Sequence, residues 1–123
     1  MAKKVKDILE MSKHPVVNGS LWLESGDKRF FGPGPVELLE RIAETGSIRQ
    51  AAKEMQMSYK KAWELINNLN AHTTSPVVIP QTGGEKGGGS IVTPEALELI
   101  QYHRELRKRF KAFLEKETKN LSY

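Results

Sequence analysis

Residues 44–70 carry side chains of the types that hold phosphates and reach base edges. In protein–DNA contacts, lysine and arginine pair with guanine or with phosphate oxygens, and asparagine and glutamine pair with adenine. This stretch has two lysines near the start of a short amphipathic segment, an asparagine two turns later, and two aromatic rings on the same outer face. The chemistry that it indicates is recognition of nucleic acid. The candidate contact residues here are Arg49, Gln50, Ser58, Tyr59, Lys60, Lys61, Trp63, Glu64 and Asn67.

Two short helices joined by a tight turn, over about 47–70, would position these side chains. Ser47 and Ser58 each stand where a serine oxygen can accept from the first backbone N–H groups of a helix. Gly46 is suited to end the preceding helix, and Ala51 and Ala52 let a second helix cross closely, as a helix-turn-helix requires. The predicted inward-facing side chains are Ile48, Ala51, Ala52, Met55, Met57, Ala62, Ile66 and Leu69.

An ordinary helical hairpin with a solvated lysine face would show the same period. Trp63 argues against that alternative, because a large ring on a surface face is costly unless it meets a partner. The loop that follows the second helix could also cover this ring. Both interpretations of Trp63 stay open at this stage.

Composition excludes several classes of site. The chain has 123 residues, 38% of them hydrophobic, with a mean hydropathy of −0.50 and no cysteine. Disulfides, thiolate metal sites and cysteine nucleophiles are therefore excluded. Without paired histidines or a nucleophile–base pattern, we expect no enzyme, no cofactor and no metal site. The first residues lack the apolar run of a signal peptide, and no membrane span is expected. A cytoplasmic location is the expectation.

The residues before the helix-turn-helix predict a hairpin and a helix. Residues 1–11 form either a short amphipathic helix or a frayed end, and Pro15 ends any helix there. Apolar runs on both sides of Gly26 predict a β-hairpin over 21–31. Pro35 is placed as the first residue of the next helix. The predicted buried stripe of that helix is Val36, Leu38, Leu39, Ile42 and Ala43.

A wing is predicted over about 76–93. Two β-branched runs, 77–79 and 90–93, flank a loop at 81–90 that contains five glycines. Such a loop can lay backbone N–H groups and Lys86 along a DNA backbone. A nucleotide-binding loop is the alternative, but it needs Gly-Lys-Ser/Thr opening a helix; a plain hairpin tip is another. The candidate DNA contacts in this loop are Thr82, Gly83, Gly84, Lys86 and Gly87.

A long last helix is predicted over about 94–116, capped by Thr93 with Pro94 in its first turn. Its apolar residues recur every three or four positions, as in a helix–helix seam. We expect this seam to join two copies of the chain; packing against residues 1–11 and the Trp22 hairpin of the same chain is the alternative. The predicted dimerisation residues are Leu99, His103, Leu106, Phe110 and Phe113.

The chain resembles the DNA-binding domain of the molybdate-responsive ModE-type regulators over residues 35–114. The resemblance rests on SYKKAWELIN (58–67) and on the TGGEKGGGS loop (82–90), whereas GSIRQAAKEM (46–55) also fits LysR-type winged helices. It implies a winged helix-turn-helix with a long dimerisation helix. It also implies a homodimer that binds double-stranded DNA at a palindromic operator. The N-terminal β-hairpin is predicted from the residues alone and is not part of the resemblance, and with it the expected fold is a single domain over 1–123 that is α+β but mainly α.

One feature departs from that resemblance, and other functions compete with the one that it implies. ModE-type regulators bind oxyanion in C-terminal domains that do not occur here, so no molybdate site is expected in this chain. A winged helix that binds another protein, or a LysR-like domain that acts with a separate sensing protein, is the alternative. Charge favours DNA, because residues 46–90 carry five lysines and arginines against three glutamates, a net +2 (5 − 3).

Overall fold

The structure is a computed structural model that describes residues 3–81 and 89–123. Residue contacts group the predicted single domain into two compact units. The winged-helix unit comprises residues 22–103, and the terminal unit comprises residues 1–21 and 104–123. The elements in chain order are α1 (Val5–Ile8), a 3₁₀ turn (Met11–Lys13), β1 (Leu23–Ser25), β2 (Lys28–Phe31), α2 (Pro33–Thr45), α3 (Ile48–Glu54), α4 (Tyr59–Asn70), β3 (Val78–Gln81), β4 (Gly89–Val92) and α5 (Pro94–Asn120). The predicted mainly helical winged helix-turn-helix is confirmed.

The predicted N-terminal hairpin is confirmed as β1 and β2. The strands pair antiparallel around a two-residue turn, in which Gly26 has φ +61°. The hairpin docks on the end of α4. The Asn68 side-chain amide donates to the Arg29 carbonyl at 3.0 Å, and the Phe30 ring stacks on His72 with centroids 4.5 Å apart. Its last residue, Phe31, is fully buried.

Helix α2 begins at Pro33, so the prediction that Pro35 opens it was wrong. Both prolines fit in the first turn because the N–H groups there have no intrahelical partner to lose. The first backbone bond runs from the Val36 N–H to the Gly32 carbonyl. Ala43 was also misplaced, since it is exposed. The predicted stop is confirmed: Gly46 has φ +69°, and its N–H donates to the Ile42 carbonyl at 2.7 Å.

Both predicted serine caps are confirmed. Ser47 Oγ accepts from the Gln50 N–H, and Ser58 Oγ accepts from the Lys61 N–H, each at 3.0 Å. Between the helices, Gln56 adopts the left-handed conformation at φ 56°. The Met57 N–H donates to the Ala52 carbonyl at 3.0 Å, which closes the end of α3 as a left-handed C-terminal cap. The turn therefore needs no glycine.

The wing strands are shifted from their predicted bounds. Strand β3 begins one residue later than predicted and includes Pro80 and Gln81, and it pairs antiparallel with β4. Val77 is instead tied to neighbouring segments, because its N–H donates to Asn70 Oδ1 at 2.9 Å and its carbonyl accepts from the Thr93 N–H at 3.0 Å. Pro80 is tolerated because this two-stranded ribbon leaves one side of each strand unpaired.

The core of the winged-helix unit is contributed by every element in it except β1. Thr93 caps α5 as predicted, with its Oγ1 accepting from the Ala96 N–H at 3.3 Å. The buried apolar side chains are Phe31, Val36, Leu38, Leu39, Ile42, Ile48, Ala51, Ala52, Ala62, Ile66, Leu69, Val77, Val78, Val92, Ala96 and Ile100. Ala51, Ala52 and Ala62 are small enough to let α3 and α4 cross closely, as expected.

In the terminal unit, the N-terminal residues pack along the distal part of α5. The Val17 N–H donates to Thr118 Oγ1 at 2.8 Å, and Gly19 lies against the Phe110 ring. Phe110 is thus contacted within its own chain by Gly19, which lies between the two segments named in the intrachain alternative, while Phe113 stays 54% exposed. Helix α5 continues to Asn120 rather than ending near 116, since no glycine or proline interrupts it.

His103 does not belong to an exposed seam. Its side chain is only 3% exposed and lies within the winged-helix unit, edge-on to Phe31 with ring centroids 5.6 Å apart. Its assignment to a dimer interface was wrong because one chain already buries it.

Across residues 3–81 and 89–123, no helix has the length and apolar character needed to span a membrane.

Candidate nucleic-acid interface

Helix α4 presents a polar outer face. Ala62, Ile66 and Leu69 anchor it in the core. Because these anchors recur at positions three and four apart, the opposite side of the helix remains in solvent. The predicted contact residues that are exposed on that side are Tyr59, Lys60, Lys61, Glu64 and Asn67.

Three side chains from α3 and α4 form an aromatic and cationic cluster. The Arg49 guanidinium lies 4.3 Å from the centroid of the Tyr59 ring, and Tyr59 meets Trp63 edge-to-face at 6.3 Å. A cation over a ring face is attracted by the quadrupole of that ring. The stacking holds the guanidinium beside the start of α4 while Arg49 itself stays exposed.

Trp63 is half-buried rather than lying free on the outer face. It packs against the core and lines a cleft of about 480 Å³. The cleft lies between the start of α3, the first turns of α4 and the two wing strands. Its lining residues are Ser47, Ile48, Arg49, Tyr59, Trp63, Pro80, Gln81, Gly89 and Ser90. Trp63 is therefore covered in part within its own chain, by the core and by the wing strands that line the same cleft, and does not by itself indicate an external partner.

The base of the wing is fastened to the junction of α2 and α3. The Ser90 N–H donates to the Gly46 carbonyl at 2.9 Å. Gly89 lies so close that a Cβ there would meet the Gly46 oxygen at 3.1 Å. This close approach favours glycine at position 89, because a Cβ there would push the Gly46 carbonyl by a few tenths of an ångström, and it sets the wing strands beside the helix-turn-helix.

Gln50 and Glu54 are already engaged with one another on α3. The Gln50 side-chain amide donates to Glu54 Oε2 at 3.3 Å, and Arg41 Nη1 lies 3.0 Å from Glu54 Oε1. The hydrogen bond from Arg41 lowers the pKa of the Glu54 carboxyl, and the Gln50 bond adds to that shift. The carboxylate is thus paired with a cation of α2, and Arg49 and Lys53 remain as exposed cations of α3.

The wing-tip predictions, on Thr82, Gly83, Gly84, Lys86 and Gly87, lie outside the residues that the structure describes. Of the remaining predicted contacts, Ser58 acts as a helix cap, and Arg49, Tyr59 and Trp63 line the cleft. Gln50 lies elsewhere on α3, and the rest lie elsewhere on α4: Lys60, Lys61, Glu64 and Asn67. Sequence reasoning missed the cleft residues Pro80, Gln81, Gly89 and Ser90. The only signal in the sequence was a glycine next to a β-branched run.

Comparison with known proteins gives a family match and a set of similar regulators. Residues 35–96 match the family described as bacterial regulatory helix-turn-helix protein, lysR family. The chain is 41% identical over 91 residues to the molybdenum transport protein ModE of Herbaspirillum seropedicae, which covers 74% of this chain and 32% of that protein.

Two further relatives show the same pattern. The DNA-binding transcriptional dual regulator ModE of Escherichia coli K12 is 41% identical over 83 residues, 68% of this chain and 32% of that protein. The molybdenum-pterin-binding protein MopB of Rhodobacter capsulatus is 44% identical over 69 residues, 56% of this chain and 26% of that protein. The chain thus spans about a third of the length of the first relatives it matches.

Proposed function

This chain belongs to the bacterial regulatory helix-turn-helix proteins of the lysR family, and we propose on that premise that it is a ModE-like transcriptional regulator that binds double-stranded DNA through α4. The observation that carries the proposal is the exposed polar face of α4 beside the Arg49–Tyr59–Trp63 cluster. The face offers donors and acceptors of the kind that read bases, and the cluster offers a cation for phosphate.

The dimensions of α4 suit a major groove. A helix is about 10–12 Å across with its side chains, which fits a groove about 12 Å wide, and the 12 residues of α4 extend about 18 Å at 1.5 Å per residue. Lys60 and Asn67 lie about 10 Å apart along the axis, which corresponds to about three base pairs at 3.4 Å each. We assign base contacts to these two residues.

Phosphate contacts are assigned to the residues that flank this face. Arg49 is exposed and is held over the Tyr59 ring. The Glu54 carboxylate on the same helix accepts a hydrogen bond from the Gln50 side chain instead. Lys86 and the glycines of the wing tip complete the set as a prediction from the sequence. Such contacts fix the register of a protein on DNA without reading its sequence.

We also propose that two copies bind a palindromic operator. The support within the chain is Phe113, a large ring that is 54% exposed on α5. A symmetric dimer places two recognition helices on half-sites one turn of DNA apart. Similarity to relatives named for molybdenum transport supports genes of molybdenum transport as the regulated set.

Selection of binding sites from a random duplex library tests this function. Purified protein should enrich an inverted repeat, and a titration should show tighter binding to the selected duplex than to a scrambled one. Absence of binding to any duplex at low salt would overturn the proposal. A protein partner seated in the cleft of about 480 Å³ would then be the function to pursue.

A further inference from the structure

The net positive charge of this chain comes from residues outside the winged-helix unit. That unit, residues 22–103, carries eight lysines and arginines against ten acids, a net charge of −2 (8 − 10). The terminal unit carries 11 lysines and arginines against five acids, a net charge of +6 (11 − 5). Because non-specific attraction to DNA comes from neutralised phosphates, the unit that reads bases has little of the charge that duplex binding requires.

Part of that charge is concentrated on one face of α5. Arg107, Lys108 and Lys111 are all exposed and stand three and four residues apart around Lys111, so their side chains are neighbours on the helix surface. We call these three residues the basic stripe. Arg104 stands one turn earlier on the same face. Like charges at this spacing repel one another, and within α5 only Glu105 and Glu115 stand at the spacing of three or four residues that lets an acid offset Lys108 and Lys111.

The basic stripe fits the charge spacing of duplex DNA. Its residues span about 6 Å of helix, at 1.5 Å per residue. One strand of a duplex carries a phosphate for each 3.4 Å or so of axis, which gives about two phosphates over that length, and the long side chains at either end of the stripe extend far enough to contact a third. The stripe also lies away from Phe113, the ring assigned to the dimer, which is two residues beyond Lys111 and therefore about 160° of helix rotation from it.

We propose that the basic stripe is a second DNA-contacting surface, which binds phosphates of the duplex independently of base sequence. The proposal rests on the DNA-binding function proposed above. In this proposal, the terminal unit supplies sequence-independent affinity for DNA, and α4 distinguishes one base sequence from another. Each bound monomer then neutralises about three more phosphates than the winged-helix unit alone.

The salt dependence of binding to a scrambled duplex tests the proposal. The variant R107Q/K108Q/K111Q removes the stripe, and R109Q/K116Q/K119Q is the matched control, since it removes three exposed cations from the same helix and leaves the same net charge. Each lost contact should reduce the slope of log affinity against log salt by about 0.9. The stripe variant should therefore lose about 2.7 per bound monomer, and the control should keep nearly the wild-type slope.

The ratio of affinities for the selected and scrambled duplexes separates this inference from the proposed function. The stripe variant should keep that ratio, because it loses affinity for both duplexes equally. An equal reduction of the salt slope in both variants would overturn the inference, because the loss of net charge alone would then explain the reduction. An unchanged slope of log affinity against log salt in the stripe variant would also overturn the inference. If the wild type binds phosphatidylserine vesicles and the stripe variant does not, the surface contacts a membrane instead. If wild type binds no duplex, the proposed function fails first.

Discussion

Replacing Gly46 by alanine should destabilise the protein, and replacing it by asparagine should destabilise the protein less. A Cβ added at Gly46 would meet nothing within 4 Å, so packing opposes neither substitution. The backbone does oppose them, because Gly46 has φ +69° and ends α2 in the left-handed conformation.

The expected magnitudes follow from that conformation. A left-handed alanine costs about 1–2 kcal/mol, and the loss of unfolded-chain entropy offsets about 0.4–1 kcal/mol of that, so Gly46→Ala should lower the free energy of unfolding by about 1 kcal/mol. Gly46→Asn should recover part of the loss, since asparagine tolerates the left-handed conformation.

Urea unfolding measures both changes as shifts of the midpoint at constant slope. Gly46→Ala should lower it more than Gly46→Asn does. A Gly46→Asn protein less stable than Gly46→Ala, or a Gly46→Ala protein as stable as wild type, would refute the assignment of Gly46 as the left-handed end of α2. The wing would be affected as well, since the Gly46 carbonyl accepts the Ser90 N–H.

Three further outcomes are expected. Ser47→Ala and Ser58→Ala should each lower the free energy of unfolding by about 1 kcal/mol in the same urea assay, because each removes an oxygen that caps a helix; replacements that leave stability unchanged would argue against these caps. Because the hydrogen bond from Arg41 lowers the pKa of Glu54, that carboxylate stabilises the fold above its unfolded pKa, and this contribution disappears as pH falls through the lowered folded pKa. Thermal melts at a series of pH values should show Glu54→Gln less stable than wild type at neutral pH but not in acid, and an equal difference at both would contradict the pairing. Phe113→Ala should convert a dimer to monomer in sedimentation and lower monomer stability only modestly, since the ring is 54% exposed and stacks on Phe110 of its own chain; a wild type that is already monomeric at micromolar concentration would exclude the dimer.

The helix-turn-helix could be predicted because its determinants are local. A serine oxygen that caps a helix bonds to an N–H three residues away, and Gly46 ends α2 through its own backbone conformation. The period of apolar residues in α3 and α4 follows from burial on one face of each helix. These interactions are encoded within about four residues, so one sequence reveals them.

The cleft and the terminal unit could not be predicted in the same way. The stacking of Arg49 on Tyr59 depends on how α3 and α4 cross, and the docking of Ser90 on Gly46 joins segments more than 40 residues apart. His103 has the spacing of a seam residue, yet it is buried beside Phe31 by tertiary packing. Helical period identifies an apolar face and does not identify what covers it.

The most direct test of base reading by α4 compares Asn67→Ala with Lys86→Ala on the selected and scrambled duplexes. Asn67 is exposed on α4, whereas Lys86 is assigned to phosphate from the sequence. Asn67→Ala should cost about 1–3 kcal/mol on the selected duplex alone, and Lys86→Ala should weaken both duplexes and reduce the salt slope by about 0.9 per bound monomer. Equal weakening of both duplexes by Asn67→Ala would contradict the claim that α4 reads bases.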